Sequence, residues 1–507
     1  MSRKRENISA ISHNSPSRKQ LISQSQRDIE TICRQVLRFL KMSPKEQISC
    51  FKQNPLDALC EIKLSNGKGN LICGPIAKER LYRLAERVID FEPTLTHRIS
   101  IESLKKIVSD EFAKSILEEG CEINASTTEQ LLVDSANKAK QSLQITEHYL
   151  PCVLFHNGGP NEFEIGPVTF SRTAIFFRKH KQSIKKSVEH SINANIAHTN
   201  KLVEQGFSRE RLATPAQSRQ WIRNLKARAI RNYRCYPWVA SVRIVNCDQS
   251  VSEERASQLV DIALNVIRIF LGADNTKRLR LACSKGDAQR TAHMWSGDDL
   301  LHVKVSSRGM GQVGFNNWHE ALTEDGGREL LGVFGSALIQ LADPMEPSGL
   351  HERFIDAINW FGDAAIDTRA ATSLVKYTSA IERLYFGKRH DRHAKVFGRR
   401  VSDVLDAFGC GDKHTYDKSV VVYDARSKLL HGAISPRSEQ VRKQAREAEN
   451  IARMSVLCAA RLYPMILLVY TDADPATLEK IMGRISSEGV NWLVQEANEA
   501  GRVKFDK

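Results

Sequence analysis

Apolar residues recur at three- and four-residue spacing through most of residues 27–145, as in "LYRLAERVIDF" and "EQLLVDSANKAKQSL", and this period predicts a mainly helical N-terminal region. The pattern changes after about residue 145. "YLPCVLFHNGGPNEFEIGPVTFSRTAIFF" has two apolar runs split by a Gly158–Gly159–Pro160 turn and reads as strands. Residues 181–230 return to helix. "WVASVRIV", "RLRLAC" and "DLLHVKVSS" read as strands, and "SEERASQLVDIALNVIRIFLG" reads as a helix with Ser252 as N-cap and Gly272 as its stop. With the apolar-faced "GRELLGVFGSALIQLAD", residues 146–345 form a mixed α/β region, a candidate for trigger or substrate recognition.

The last third is helical throughout. "ERFIDAINWFGDAAI", "TRAATSLVKYTSAIERLYFG", "RRVSDVLDAFG", "KSVVVYDARSKLLHG" and "SEQVRKQAREAENIARMSVLCAARLY" follow one another and predict an antiparallel bundle over 346–470. Ser435 and Pro436 suit the N-cap and first position of its last long helix, and Pro464 should end or kink that helix. Residues 471–507 add a helical extension. Residues 1–26 lack apolar periodicity and read as a disordered basic tail. The expected class is therefore α+β and multidomain: a mixed α/β N-terminal and central region, then an all-α bundle.

Charge sharpens this picture. The 507 residues carry a net charge of +15, and residues 171–245 alone hold 16 Lys/Arg against 3 Asp/Glu. Such a stretch attracts polyanions, nucleic acid above all. Its aromatic residues Phe176, Phe177, Phe207, Trp221, Tyr233, Tyr236 and Trp238 suggest either a stacking surface for single strands or, for Trp238 and Phe176–Phe177, strand core. Lys179, Lys181, Lys185, Lys186, Arg223, Lys226 and Arg228 are its nucleic-acid candidates. Eleven scattered cysteines without CxxC pairs argue against structural zinc and fit reduced thiols in a cytoplasmic protein. The start has no apolar signal core, and the longest aliphatic run, "MILLVY", falls short of a membrane span. "GMGQVG" (309–314) matches a dinucleotide fingerprint, but "FNNWHEALTEDGG" after it is no apolar-faced helix, so a turn is expected and no cofactor.

The candidate chemistry lies in "YDARSKLLHGA" (423–433). Metal-free RNA cleavage needs a base for the 2′-OH, an acid for the leaving 5′-oxygen and a cation for the phosphate. Histidine suits the first two roles and arginine the third. On a continuous helix Ser427 and His431 share a face, and Asp424 lies on the same stripe, where it could orient the imidazole. Arg426 would point about 140° from His431 around the axis. One imidazole is poorly placed to be acid and base together, and a two-fold dimer supplies the second. Spacing alone favours a solvated helix face.

"AINWFGDAAI…SLVKYTSAIERLY…GRRVSDVL…VVYDARSKLLHGA" resembles the HEPN superfamily, and within it the Apea-like HEPN domains, over roughly 350–470. The landmarks are Glu382 in "SAIERLY", the basic "GRR" (Arg399, Arg400), and Tyr423, Asp424, Arg426, Ser427, His431 and Gly432. The resemblance implies a HEPN helical bundle at 346–470 and a metal-independent endoribonuclease whose R-x4-H site forms across a homodimer. In that reading Arg426 holds the scissile phosphate, His431 transfers protons and Ser427 assists, at a position that is often Asn in such nucleases. Glu382, Asp424 and Tyr423 are supporting residues, with Glu382 an ion-pair partner for Arg426 or Arg399. Lys388, Arg389, Arg399, Arg400 and Lys428 are RNA-binding candidates, the first four from the basic stretch 383–400, which also holds His390 and His393. The resemblance further implies prokaryotic anti-phage defence, with a phage-derived trigger as a partner. The alternative it leaves open is a non-catalytic nucleic-acid or nucleotide sensor that uses the bundle to dimerise.

Overall fold

The computed structural model of the chain describes residues 17–43, 60–64, 69–204, 212–282, 290–297, 300–307, 316–324, 326–343, 349–391, 393–471 and 473–500, with a few single positions between them. They fall into two compact units, one drawn from 1–146 and 244–254, the other from 147–243 and 255–507. The class is α+β: mostly helix, with small antiparallel sheets and a helical C-terminal region.

In the first unit, α1 (Arg18–Lys41) opens on a capping box. Ser17 Oγ accepts from the Gln20 N–H, and the Gln20 side chain accepts from the Ser17 N–H. Residues 18–26, expected to be disordered, are therefore helical, and Leu21 and Ser25 are buried. The rest of the expected tail lies outside the described residues. The strands β1 (Cys60–Lys63) and β2 (Asn70–Cys73) pair antiparallel. At four residues each they are too short to show alternation in sequence, which is why this region read as helical only. Helices α2 (Pro75–Phe91), α3 (Ile101–Phe112) and α4 (Ala125–Ser142) complete a core that includes Ile29, Ile32, Leu81, Leu84, Leu104, Val108, Phe112 and Leu132.

The second unit begins with a five-stranded sheet. β3 (Gln144–Val153), β4 (Glu162–Ile165) and β5 (Val168–Arg172) are joined by β6 (Trp238–Cys247) and β7 (Arg280–Leu281) in the order β4-β5-β6-β3-β7. Between β5 and β6 the chain makes two long helices, α5 (Thr173–Glu204) and α6 (Pro215–Arg234), packed on each other. α7 (Gln249–Leu271) follows β6. Ile262, Ala263, Leu264, Val266, Ile267 and Ile269 are all buried, so the C-terminal half of this helix is enclosed, while Glu254, Gln258 and Asp261 keep an exposed stripe on the first half. Its N-terminus is capped by Asp248, whose Oδ1 accepts from the Val251 N–H at 2.8 Å, and not by Ser252, which lies buried one turn inside. Gly272, at φ 80°, does end it. β8 (Arg290–Gly297) and β9 (Leu300–Ser307) form a separate antiparallel hairpin. Residues 309–313 of the "GMGQVG" run lie outside the described residues.

The helices α8 (Gly327–Ala342), α9 (Leu350–Ile366), α10 (Ala370–Tyr385), α11 (His393–Ala407), α12 (Thr415–Leu430), α13 (Glu439–Val469), α14 (Pro475–Glu488) and α15 (Asn491–Glu499) complete the unit. α10 packs against α9 and α13, and α11 packs against α12. Buried tyrosines tie α10 to α13: Tyr385 donates to the Ser455 carbonyl at 2.9 Å and Tyr463 to the Leu384 carbonyl at 2.6 Å. α13 is capped by Ser438, not Ser435. Ser435 and Pro436 instead form the turn ahead of it, closed by the Ser438 N–H on the Ser435 carbonyl. Pro464 neither ends α13 nor starts a loop. The helix runs on to Val469, because Leu462, Tyr463, Met465 and Ile466 on either side are buried and hold it. α13 is long and apolar enough to cross a membrane, and most of its apolar window is buried inside the bundle.

Candidate functional site

The C-terminal end of α12 carries the candidate chemistry. Tyr423 and Ala425 face inward, Arg426 and Ser427 are half-buried, and Asp424 and Lys428 face solvent. The helix stops at Leu430. Gly432 takes φ 71°, its N–H bonds the Leu429 carbonyl, and the Ala433 N–H bonds the Lys428 carbonyl at 2.7 Å. This is a Schellman stop, and Gly432 suits it because only glycine adopts that conformation without strain. His431 is therefore the C-cap and not a helical residue. The helical-wheel expectation of a 140° separation from Arg426 does not hold, since the chain leaves the helix before the imidazole. His431 is exposed and its ring makes no hydrogen bond among the described residues. Asp424 does not orient it: the carboxylate pairs with Lys428 at 2.6 Å, one turn on along the exposed face.

Glu382, near the end of α10, is the centre of the site. Its Oε2 accepts from Arg426 Nη2 at 3.2 Å and its Oε1 accepts from the Tyr423 hydroxyl at 3.2 Å. Of the two arginines expected as its partner, Arg426 is the one it meets. Arg399 instead donates to the Ser486 carbonyl and lies 3.8 Å from Asp403. The third group on Glu382 is His393, the first residue of α11, with Nε2 3.4 Å from Oε1. Its Nδ1 accepts the His390 backbone N–H at 3.3 Å, which leaves the ring proton on Nε2, facing the carboxylate. Burial lowers the His393 pKa, and Glu382 only partly offsets this. Burial and then the Glu382 charge push the Tyr423 phenol up to about 12, so it remains a donor.

Rings hold this cluster in place. His393 stacks on Tyr423 at 5.1 Å between centroids and on Phe386 at 4.7 Å. The Arg426 guanidinium lies 5.4 Å from the Tyr423 ring centre, and that of Arg400 lies 4.7 Å from the Phe386 ring centre. A continuous pile thus runs Arg400, Phe386, His393, Tyr423, Arg426.

A second carboxylate anchors the far end of the pile. Glu479 on α14 accepts two hydrogen bonds from Arg400, at 2.9 and 2.7 Å, with the backbone N–H of Gly387 at 2.7 Å and His390 Nε2 at 3.0 Å. Burial alone would raise its carboxyl, but the Arg400 hydrogen bonds and charge prevail and hold it down at about 2. The side chains of Arg400 and Glu479 are 6% and 10% exposed. Arg400 is therefore a buried structural cation, and its expected role in RNA binding is corrected: no phosphate can reach it. Gly387 is needed here because a Cβ would lie 1.9 Å from the Pro475 carbonyl oxygen.

Of the other expected RNA contacts, Lys388, Arg389 and Arg399 are exposed, and Lys428 is half-exposed and paired to Asp424. Tyr423, Arg426 and Glu382 are brought together. Ser427 and His431 follow on the same helix end, but only their backbones bond, His431 N–H to the Ser427 carbonyl. Sequence reasoning noted His393 as part of a basic stretch and missed its place against Glu382, along with Phe386 and Glu479. Ten residues, which include the link between the two helices, separate Glu382 from His393, and no periodic signal bridges them. Among the described residues no three His, Cys, Asp or Glu side chains converge on a point where a metal ion could sit. Comparisons with family models, curated proteins and solved structures yield no match to this chain.

Proposed function

We propose that the chain is a metal-independent endoribonuclease with a HEPN-type bundle, acting through Arg426 and His431. One observation carries the reading. Arg426 is held in one orientation by Glu382 and the Tyr423 ring, while His431, at the end of the same helix, keeps a solvent-facing imidazole. A pre-oriented guanidinium and an accessible imidazole at one helix end are two groups that phosphodiester transfer uses. In this mechanism a His431 imidazole takes the proton of a ribose 2′-OH. The 2′-oxygen attacks phosphorus, the bond to the 5′-oxygen breaks, and a second imidazole protonates that oxygen. The products are a 2′,3′-cyclic phosphate and a 5′-hydroxyl. Arg426 neutralises the charge that gathers on the phosphate oxygens. His393 is not the second imidazole, since it is wedged between the Phe386 and Tyr423 rings, with Nδ1 taken by the His390 N–H and Nε2 buried against Glu382. A second copy of the chain supplies it.

The test is cleavage of total RNA by the purified chain with EDTA present. Cleavage is expected, leaving cyclic phosphate ends, with DNA spared and His431→Ala and Arg426→Ala inactive but folded. Loss of activity on chelation, or equal cutting of DNA, overturns the mechanism. The Glu382–Arg426 ion pair itself favours a second reading, because a guanidinium already neutralised by a carboxylate has a structural role. The bundle then only dimerises and the chain is a nucleic-acid sensor. RNA binding without cleavage, indifferent to His431→Ala, selects it.

A further inference from the structure

The strongest unexplained feature lies away from this site, in the two helices between β5 and β6. α5 has 32 residues and runs roughly 48 Å at the ordinary helical rise. Only Thr173 and Phe176 at its root and Ile192 further along are buried. α6 returns beside it, with only Ser218 and Ile222 buried. The hairpin therefore shows solvent most of its sides, and its stability rests on a thin apolar seam.

Those sides are strongly and uniformly positive. α5 and α6 together carry twelve Lys/Arg against two Glu. Lys179, Lys185, Lys186, Arg219, Arg223 and Arg231 are exposed, and none of the six side chains has an ion-pair or hydrogen-bond partner among the described residues. Elsewhere in the chain, exposed basic side chains such as Arg83, Arg442 and Arg484 are paired with nearby acids. Unpaired like charges along one short hairpin repel and disfavour the fold by themselves, so an anionic partner that neutralises them would gain affinity there. Trp221 is 58% exposed, and Leu225, one turn on, is 48% exposed. A tryptophan standing out of a basic helix offers a face on which an unpaired base can stack between phosphate contacts. Among the described aromatics of this stretch, Trp238 and Tyr236 are core, Phe176 is buried at the root, and Phe177 and Tyr233 are half-buried, so Trp221 is the one fully presented.

We infer that the α5–α6 hairpin is an arm that binds single-stranded nucleic acid, holding the backbone by its unpaired cations and stacking a base on Trp221. This goes beyond the catalytic reading and does not depend on it. The occupant is fixed by charge complementarity over the length of the hairpin, together with a single exposed indole. A lipid surface would call for an apolar stripe, whereas the exposed apolar side chains here are confined to one turn of α6.

The experiment uses the full chain carrying His431→Ala, so that no substrate is cut, and follows the anisotropy of labelled 20-nucleotide oligouridylate. Three variants are compared in that background. The first replaces the six named cations by Ala, the second is Trp221→Ala, and the third replaces four exposed cations of α1 (Lys19, Arg27, Arg34, Arg38) as a control for charge removed elsewhere. Circular dichroism checks that each is folded, as expected for exposed positions. Binding should weaken at least tenfold in the first variant, and its log–log salt slope should fall by up to roughly 4, at about 0.7 per lost phosphate contact. Trp221→Ala should weaken oligouridylate about tenfold and leave a blunt duplex unaffected. The α1 control should bind as the parent does. The inference is overturned if the parent does not bind oligouridylate, if the α1 control loses as much as the hairpin variant, if Trp221→Ala changes nothing, or if the parent sediments with phosphatidylserine vesicles but ignores RNA. Binding that passes these tests in a chain with no nuclease activity leaves the arm intact and removes only the catalytic proposal.

Discussion

Replacing Glu479 by Gln should destabilise the bundle by about 3–5 kcal/mol, the usual cost of stranding one half of a buried ion pair. The figure follows from the geometry. Arg400 is almost fully enclosed, and among the described residues its two bonds to Glu479 are its only ion pair. Its remaining partners are the Tyr385 carbonyl at 2.7 Å and the face of Phe386, neither of which carries a charge. A glutamine keeps the shape and one acceptor but leaves the guanidinium uncompensated, and the Gly387 N–H loses its charged acceptor. The assay is urea unfolding of the full chain followed by far-ultraviolet circular dichroism. With a slope near 3 kcal/mol per molar, the midpoint should fall by about 1–1.7 M. Replacing both partners, as Arg400→Met with Glu479→Leu, should recover most of the loss, because no charge is then left buried. The pH dependence carries a sign. The carboxyl is held at about 2, below the ordinary glutamate range, so on acidification the unfolded chain takes up the proton first. The contribution is whole above the ordinary range and fades as pH falls from there through about 2, and Glu479→Gln should remove that part of the acid transition. A midpoint shift below about 0.3 M, or a double variant weaker than the single one, would refute the claim that this buried ion pair holds the bundle together.

Glu382→Ala should abolish any Arg426-dependent cleavage while Glu382→Gln retains part of it, since the amide still accepts from Arg426 and Tyr423. Cyclic phosphate yield on total RNA reads this, and equal activity in both variants would remove Glu382 from the site. His393→Phe keeps the ring stack but loses the titrating group. Because burial lowers the His393 pKa, its contribution to stability is present above the ordinary histidine value and is lost as pH falls through the lowered one. The substitution should flatten the stability–pH profile just below neutrality without erasing it, as His319 and His351 are shifted the same way. Gly432→Ala should cost about 1 kcal/mol from backbone strain alone, since a Cβ there meets nothing within 4 Å, and a melt shift much larger than this would show a contact the present geometry lacks.

By itself the sequence determined the elements. The three- and four-residue apolar period located the bundle helices and helix α7, and apolar runs with turn residues located β3, β5 and β6, because burial of one face imposes those periods locally; "TAIFF", which read as strand with Phe176 and Phe177 in its core, instead opens α5. It also singled out Arg426, His431 and Glu382 as a set. Caps were legible only in part: Gly272 stops its helix as expected, but Asp248 and Ser438 cap theirs instead of Ser252 and Ser435, since several polar residues in a row compete for the cap and packing selects among them. What the tertiary structure alone decided is which charges are free. Arg399 and Arg400 are adjacent and chemically alike in sequence, yet one is exposed and the other is sealed against Glu479, 79 residues on. His393 belongs to the Arg426 cluster for the same reason: its partners come from α10 and α12, and a contact across helices leaves no period in the chain that makes it.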